Sequence, residues 1–402
     1  MPEIGSEVVI IGAGPGGLAA AAALRQAGIP AVILERAEAI GASWRGHYDR
    51  LHLHTVRWLS ALPGLPIPRR EGRWVSRDAF IAYLESYARH HRLEVLLGTE
   101  VRALARAGDG WRVMTSRGER MTPGVVVGTG YNRLPHLPPW PGRDGFRGRL
   151  LHSSSYRSGA EFHGRDVLVV GAGNSGAEIA VDLVEQGASR VRLSVRTAPN
   201  VVLRTVAGVI PSQLVSIALR PLPLPISDAV ARTTARLTVG DLTRFGLPAP
   251  ERGIYTQMIR DHQIPILDAG FIAALRAGRI EVVPAVEALA GASVLLRGGG
   301  RIEPEVVIAA TGFRPGLETL LGDLDLLDAS GLPRVHGAAT APQAPGLHFL
   351  GFTNPPTGNL REMARDARRI ARALRARIAA GQRDAGYGSS GTSSFPAPGS
   401  QT

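Results

Sequence analysis

Apolar residues run unbroken from Val8 to Ile11 and meet Gly12-Ala13-Gly14-Pro15-Gly16-Gly17, followed by an alanine-rich stretch to Gln26. A short β-branched run bounded by glycine predicts a strand buried on both faces. The alanines predict a helix, closed by Gly28. A second apolar run, Ala31 to Leu34, predicts the next strand. The same order recurs later. Asp166-Val167-Leu168-Val169-Val170 leads into Gly171-Ala172-Gly173-Asn174-Ser175-Gly176, then a helical stretch from Ala177 to Gln186, Gly187, and a strand from Arg190 to Val195. The chain therefore carries two βαβ units.

Between them the pattern predicts a helix over 78–91, a hairpin region over 95–121, and a strand over 124–127 that ends in Gly128-Thr129-Gly130. After the second unit comes a proline-punctuated stretch, 201–263, expected to be mainly helical and to lie over a substrate entrance. A strand at 281–283, a hairpin over 293–301 and a strand over 305–309 ending in Ala310-Thr311-Gly312 follow. The last predicted helix covers about 360–380, with Met363, Ala367, Ile370, Leu374 and Ile378 on one face and arginines on the other. The Gly/Ser/Pro-rich tail, 386–402, is expected to be disordered.

Composition narrows the chemistry. The chain has 402 residues, enough for two or three domains, and its 44% hydrophobic and 20% charged content is that of a globular protein. It contains no cysteine, so a disulfide, a thiolate nucleophile and a cysteine-ligated metal are all excluded. No metal site is expected. The net charge is +12, and all 46 basic residues are arginine. They are scattered through globular segments, so a basic surface suited to a phosphate-bearing cofactor is expected rather than a nucleic-acid partner. The first apolar run leads straight into the glycine turn and is read as part of the fold, not a leader. The most apolar stretch, 201–226, is interrupted by Arg204, Pro211, Gln213 and Arg220, so no membrane contact is expected and the location is expected to be cytoplasmic. The same stretch leaves a homodimer contact open.

The two glycine motifs sit between strand and helix, as phosphate binding requires. Gly12 makes the tight turn, Gly14 admits a pyrophosphate to the backbone, and Gly17 lets helix pack on strand, with Pro15 and Gly16 in the same turn. Gly171, Gly173 and Gly176 repeat these roles. Glu35 ends the second strand of the first unit, 21 residues after Gly14, where a carboxylate accepts hydrogen bonds from a ribose diol. The matching place in the second unit holds Arg196, 23 residues after Gly173, with Thr197 beside it. An arginine there suits a ribose 2′-phosphate. One site thus fits FAD and the other NADPH. The expected fold is α/β, with two doubly wound Rossmann-like dinucleotide-binding domains, the NADPH domain inserted into the FAD domain. The expected limits are 1–155 and 304–385 for the FAD domain, and 156–303 for the NADPH domain.

Phe146-x-Gly148-x-x-x-His152-x-x-x-Tyr156 resembles the fingerprint of class B flavin monooxygenases. Gly41-Ala42-Ser43-Trp44-Arg45 and Tyr48-Asp49-Arg50-Leu51-His52-Leu53-His54 are similar to the flavin-adjacent segment of the YUCCA-like, indole-3-pyruvate branch, and the similarity continues through 241–247, 265–268 and 351–354. The resemblance implies that NADPH reduces FAD, that O2 adds to form a C4a-(hydro)peroxyflavin, and that a small organic substrate is oxygenated, with oxidative decarboxylation of an arylpyruvate as the leading case. N- or S-oxygenation of a soft nucleophile, or an NADPH oxidase or reductase, are the alternatives. Asn174 and Ser175 are expected at the NADP pyrophosphate or ribose, and Trp44 at the flavin. Further candidate cofactor contacts are Arg36, Ser43, His54, Val101, Thr129, Gly130, Thr311, Gly312 and Phe352. The candidate catalytic residues are His54, Thr55 and His152. Arg157 follows Tyr156 where Baeyer–Villiger relatives carry a tryptophan-proline pair, which points away from that reaction.

Overall fold

The computed structural model describes residues 6–388, with side chains described as far as 380. The part of the expected disordered tail beyond 388 lies outside the described residues.

Two five-stranded parallel sheets organise the chain. The first runs Leu347–Phe349, Val125–Val127, Val8–Ile11, Ala31–Leu34, Glu94–Leu96. The second runs Glu281–Pro284, Arg190–Val195, Asp166–Val170, Val306–Ala309, Arg149–His152. In each, the strand before the glycine turn is central, so its β-branched residues are fully enclosed; Val8, Ile10, Val167 and Val169 have no exposed surface. Both sheets are wound by helices, as expected. Pro15–Gln26 follows the first glycine turn and packs against the final helix, Asn359–Gly388, through Ala367, Ile370 and Leu374. Asn174–Glu185 follows the second turn. The final helix runs eight residues past the expected end at 380. Helix Arg77–His90 is capped by Ser76, whose hydroxyl accepts from the Ala79 N–H.

Two limits change. Strand Arg149–His152 falls within the expected first domain, and Val306–Ala309 within the expected third segment. Both belong instead to the second sheet, where they pair with each other. The chain therefore leaves the first sheet after 127 and returns to it at 347. The two connections are themselves joined, because Leu134–Pro135 pairs antiparallel with Phe313–Arg314. Strand partnership is long-range, and an apolar run carries no mark of which sheet will accept it. The region read as a hairpin over 95–121 splits in the same way. Val95 enters the first parallel sheet, and Val101–Ala107, Gly110–Thr115 and Gly118–Thr122 form a separate antiparallel sheet.

The 201–263 segment is helical only from Ser212, through Ser212–Leu219, Leu224–Thr238 and Ile254–Arg260. Its opening is extended, because Val201–Leu203 pairs parallel with Ile266–Asp268 and closes the base of the excursion. No helix among the described residues is long and apolar enough to cross a membrane.

Candidate active site

The two glycine turns are built alike. Gly12 has φ of +101° and Gly171 of +114°, conformations that favour glycine. A β-carbon on Gly12 would stand 2.9 Å from the Gly128 oxygen, and one on Gly171 would stand 2.5 Å from the Ala310 oxygen. The expected turns at 128–130 and 310–312 are thus pressed against the glycine loops. Gly14 and Gly173 face the other way: a β-carbon on either would meet nothing within 4 Å. Behind each open glycine lies a helix N-terminus whose first N–H groups lack intrahelical partners, the arrangement that receives a phosphate.

Glu35 holds the first turn in shape. One carboxylate oxygen accepts from the Ala13 N–H at 2.7 Å and the other from the Ala37 N–H at 2.9 Å. Each oxygen retains a lone pair for a ribose hydroxyl. A cavity of about 590 Å³ starts here, lined by Gly12, Gly14, Pro15, Gly16, Glu35, Arg36 and Val101. It continues past Thr129 and Gly130 to Ser43, Trp44, His54, Thr55, Asn359 and Met363. Trp44 stands edge-on to Phe80, ring centroids 4.5 Å apart, which fixes the indole in that wall. Two buried polar atoms in this lining have no protein partner among the described residues, the Thr129 hydroxyl and the Asn359 side-chain oxygen. Such atoms need a ligand or water. An open glycine turn, a carboxylate at the ribose position and two unsatisfied polar atoms in one elongated cavity fit an FAD molecule.

A second cavity, about 230 Å³, adjoins the first and shares His54, Thr55 and Asn359 with it. Its remaining walls are largely apolar, with Val202, Leu203 and Val206 from the extended opening of the 201–263 segment and Leu219, Ala235 and Met258 from its helices. Gln213 ties this segment down. Its side-chain oxygen accepts from the Val56 N–H at 3.0 Å, and its amide donates to the Thr357 carbonyl at 2.8 Å. Gly358, at φ +100°, makes this approach possible, since a β-carbon there would stand 2.5 Å from Gln213 Nε2 and 2.9 Å from Thr55 Cγ2.

Several expected contacts fall elsewhere. Phe352 is buried edge-on against Phe349 in the core under the first sheet and does not line the cavity. His152 also lies outside both linings. Its Nε2 faces the Gly312 carbonyl at 2.9 Å, which can only accept, so Nε2 carries the proton and Nδ1 accepts from the Ser154 N–H at 3.1 Å. Burial pushes its pKa down. A neutral ring with both nitrogens engaged is a brace, not a free proton carrier. Thr311 and Gly312 serve the same brace: the Thr311 hydroxyl donates to the His136 carbonyl at 2.5 Å, and the His136 N–H donates to Gly312 O. The rest of the fingerprint is structural too. Tyr156 donates to Asp182 at 2.6 Å and stacks on Phe162, while a β-carbon on Gly148 would strike the Phe146 ring at 2.6 Å. Asn174 lines the second cavity, and its amide also bonds backbone, donating to Pro265 O at 3.0 Å and accepting from the Leu267 N–H at 2.8 Å. It joins the second helix to the closing strand of the 201–263 excursion. Arg196 and Thr197 lie exposed at the end of strand Arg190–Val195, and the charges of Arg314 and Arg196 both bear on His136.

Sequence reasoning missed Glu178. It is 3% exposed on helix Asn174–Glu185, and His54 Nε2 lies 2.5 Å from its Oε1. Tyr48 donates to Oε2 at 3.2 Å, and Arg204 Nη2 lies 3.5 Å from Oε1. Burial pushes the Glu178 carboxyl up, but the hydrogen bonds from His54 and Tyr48 and the Arg204 charge outweigh it and hold the group below its ordinary value. The available signal was a carboxylate on the buried stripe of that helix, four residues before the equally buried Asp182.

The pyridine nucleotide-disulphide oxidoreductase family matches residues 9–211. Indole-3-pyruvate monooxygenase YUCCA1 of Oryza sativa subsp. japonica is 37% identical over 350 residues, 86% of each chain. The probable indole-3-pyruvate monooxygenase YUCCA1 of Arabidopsis thaliana is 35% identical over 86% of this chain and 84% of its own. Among solved structures, a flavin-containing monooxygenase from Stenotrophomonas maltophilia superposes with TM-score 0.71 at 25% identity, covering 92% of this chain and 98% of that one. A cyclohexanone monooxygenase shares the fold, with TM-score 0.71 at 19% identity over 94% of this chain and 88% of that one. With FAD and NADPH as its cofactors and the second glycine unit set within the first, the chain belongs to the class B flavin monooxygenases.

Proposed function

We propose that this enzyme oxygenates a small, largely apolar carbonyl acid, an arylpyruvate of the indole-3-pyruvate kind, with loss of its carboxylate as CO2. The observation that carries the reading is the 230 Å³ apolar cavity that meets the larger one at His54, Thr55 and Asn359. An aryl group suits the aliphatic walls, and a keto-acid end suits the polar junction. The rice and Arabidopsis relatives named for indole-3-pyruvate support the same class. FAD supplies the redox chemistry, accepting hydride from NADPH and activating O2. In the larger cavity Gly14 and the helix behind it would receive the pyrophosphate, Glu35 would take the ribose diol, and Trp44 and Asn359 would contact the ring. Gly173 would receive NADPH, and Arg196 and Arg314 would hold its 2′-phosphate. The helices over 212–260 keep bulk water from the junction.

The test is turnover of the FAD-loaded enzyme with NADPH, indole-3-pyruvate and 18O2. The expected result is one 18O in the product carboxylate and one CO2 per product. An N- or S-oxide formed from a soft nucleophile, with no CO2 from the keto acid, would replace the reading. Hydrogen peroxide as the sole product would make the protein an NADPH oxidase.

A further inference from the structure

Among the described residues His54 is the one ionisable side chain shared by both cavities. Its Nε2 is engaged by Glu178, and among the described residues its Nδ1 has no protein partner. We infer that Glu178 is a positioning residue that accepts the His54 Nε2–H and thereby presents Nδ1 at the junction, as the atom that delivers the proton consumed in each oxygenation. This rests on the function proposed above. The net reaction takes the keto acid, O2, NADPH and one proton to the oxygenated acid, CO2, NADP⁺ and water. The Nδ1–H bond of His54 breaks and its electron pair stays on the imidazole. A new O–H bond forms on the oxygen atom that leaves as water, and solvent returns the proton to Nδ1 before the next turnover.

The geometry favours this over a plain domain tether. A carboxylate with 3% exposure is costly unless fully partnered, and Glu178 is partnered by Tyr48, His54 and Arg204 together. Arg50 donates to the Glu178 carbonyl at 3.2 Å, so the backbone is pinned as well. The other group whose charge senses Glu178 is His47. Tyr48, Arg50 and Arg204 already anchor Glu178. The additional bond to His54 locks an imidazole whose other face is open, the arrangement by which a buried carboxylate sets a histidine's tautomer and orientation. Glu178 also sits one turn below the second glycine loop, so the same helix that receives the nicotinamide cofactor fixes the proton carrier.

The test compares FAD-loaded wild type, Glu178→Gln, His54→Gln and the double variant. Glu178→Gln keeps the shape and an acceptor but removes the charge. The expected loss in product-forming kcat is on the order of 10²-fold for either single variant. The NADPH KM should stay within about twofold, because the Glu178 side chain bonds Tyr48, His54 and Arg204 rather than the glycine loop. The double variant should be no slower than His54→Gln alone, since both act through one atom. Losses that multiply in the double variant, or an unchanged kcat–pH profile in Glu178→Gln, would overturn the inference. Nitrogen-15 histidine NMR of the resting holoenzyme gives an independent reading. His54 should be protonated at Nε2 in wild type and change its signal in Glu178→Gln; a wild-type His54 protonated at Nδ1 alone would sink the idea. If wild type yields no oxygenated product at all, the proposed function fails, and the NMR result still decides whether Glu178 sets the His54 ring.

Discussion

A β-carbon placed on Gly17 would stand 1.9 Å from the carbonyl oxygen of Gly12, and one on Gly176 would stand the same 1.9 Å from that of Gly171. The third glycine of each motif is thus forced by contact of helix with strand exit, whereas the second, Gly14 or Gly173, opens on empty space. The two positions should therefore fail differently. Gly17→Ala and Gly176→Ala should leave little folded protein, since the clash is with backbone that cannot move aside. Gly14→Ala should fold but release FAD, and Gly173→Ala should keep its yellow colour but raise the NADPH KM. Soluble yield, the flavin spectrum and NADPH titration check all four. A Gly14→Ala protein with normal FAD content would show that the pyrophosphate does not approach that backbone.

Glu35 bonds two backbone N–H groups in addition to its proposed work on the ribose. Replacing it with alanine strands the Ala13 and Ala37 N–H groups and removes the diol acceptor. A charged hydrogen bond is worth roughly 1.5–3 kcal/mol, so FAD affinity should drop by about tenfold or more. Fluorescence of released flavin on dilution measures it directly. The outcome that counts against the assignment is an affinity equal to wild type.

Arg196 is exposed at the strand end, with Arg314 close enough for both to influence His136. Arg196→Gln should raise the KM for NADPH by about one order of magnitude, and leave that for NADH nearly unchanged, because only NADPH carries the 2′-phosphate. Equal effects on both cofactors would move the phosphate site elsewhere.

His152 ties strand Arg149–His152 to Gly312 as a neutral ring, and burial holds its pKa below the ordinary histidine value near 6.5. As pH falls below about 6.5, the unfolded chain takes up the proton before the folded one. The folded state is therefore fully favoured above that pH and loses stability as pH drops toward the folded pKa. His336 and His348, lowered chiefly by burial, add to the same trend. The thermal midpoint should fall between pH 7.5 and 5.5, and His152→Gln should be less stable at pH 7.5 but show a shallower fall. A slope identical to wild type would mean that His152 is not neutral in the fold.

The sequence by itself determined the two nucleotide units. A β-branched strand, a glycine turn and a helix are consecutive in the chain, and their physics is local: the positive φ that Gly12 and Gly171 adopt, and the end of the second strand at Glu35 and Arg196. It also determined the stripe of the final helix, through Ala367, Ile370 and Leu374, because helical periodicity is written every three or four residues. Only the tertiary structure decided what joins across distance. It placed Arg149–His152 and Val306–Ala309 in the second sheet, since hydrogen bonding between strands is blind to separation along the chain. It turned the candidate contacts His152 and Thr311 into braces, because each finds its partner on a distant segment, and it buried Phe352 in the core beneath the first sheet. The same cause hid Glu178, whose meaning lies in a histidine 124 residues away. A buried carboxylate announces itself in a sequence only as a charge on an apolar face; the residue that satisfies it becomes visible when the two units close on one another.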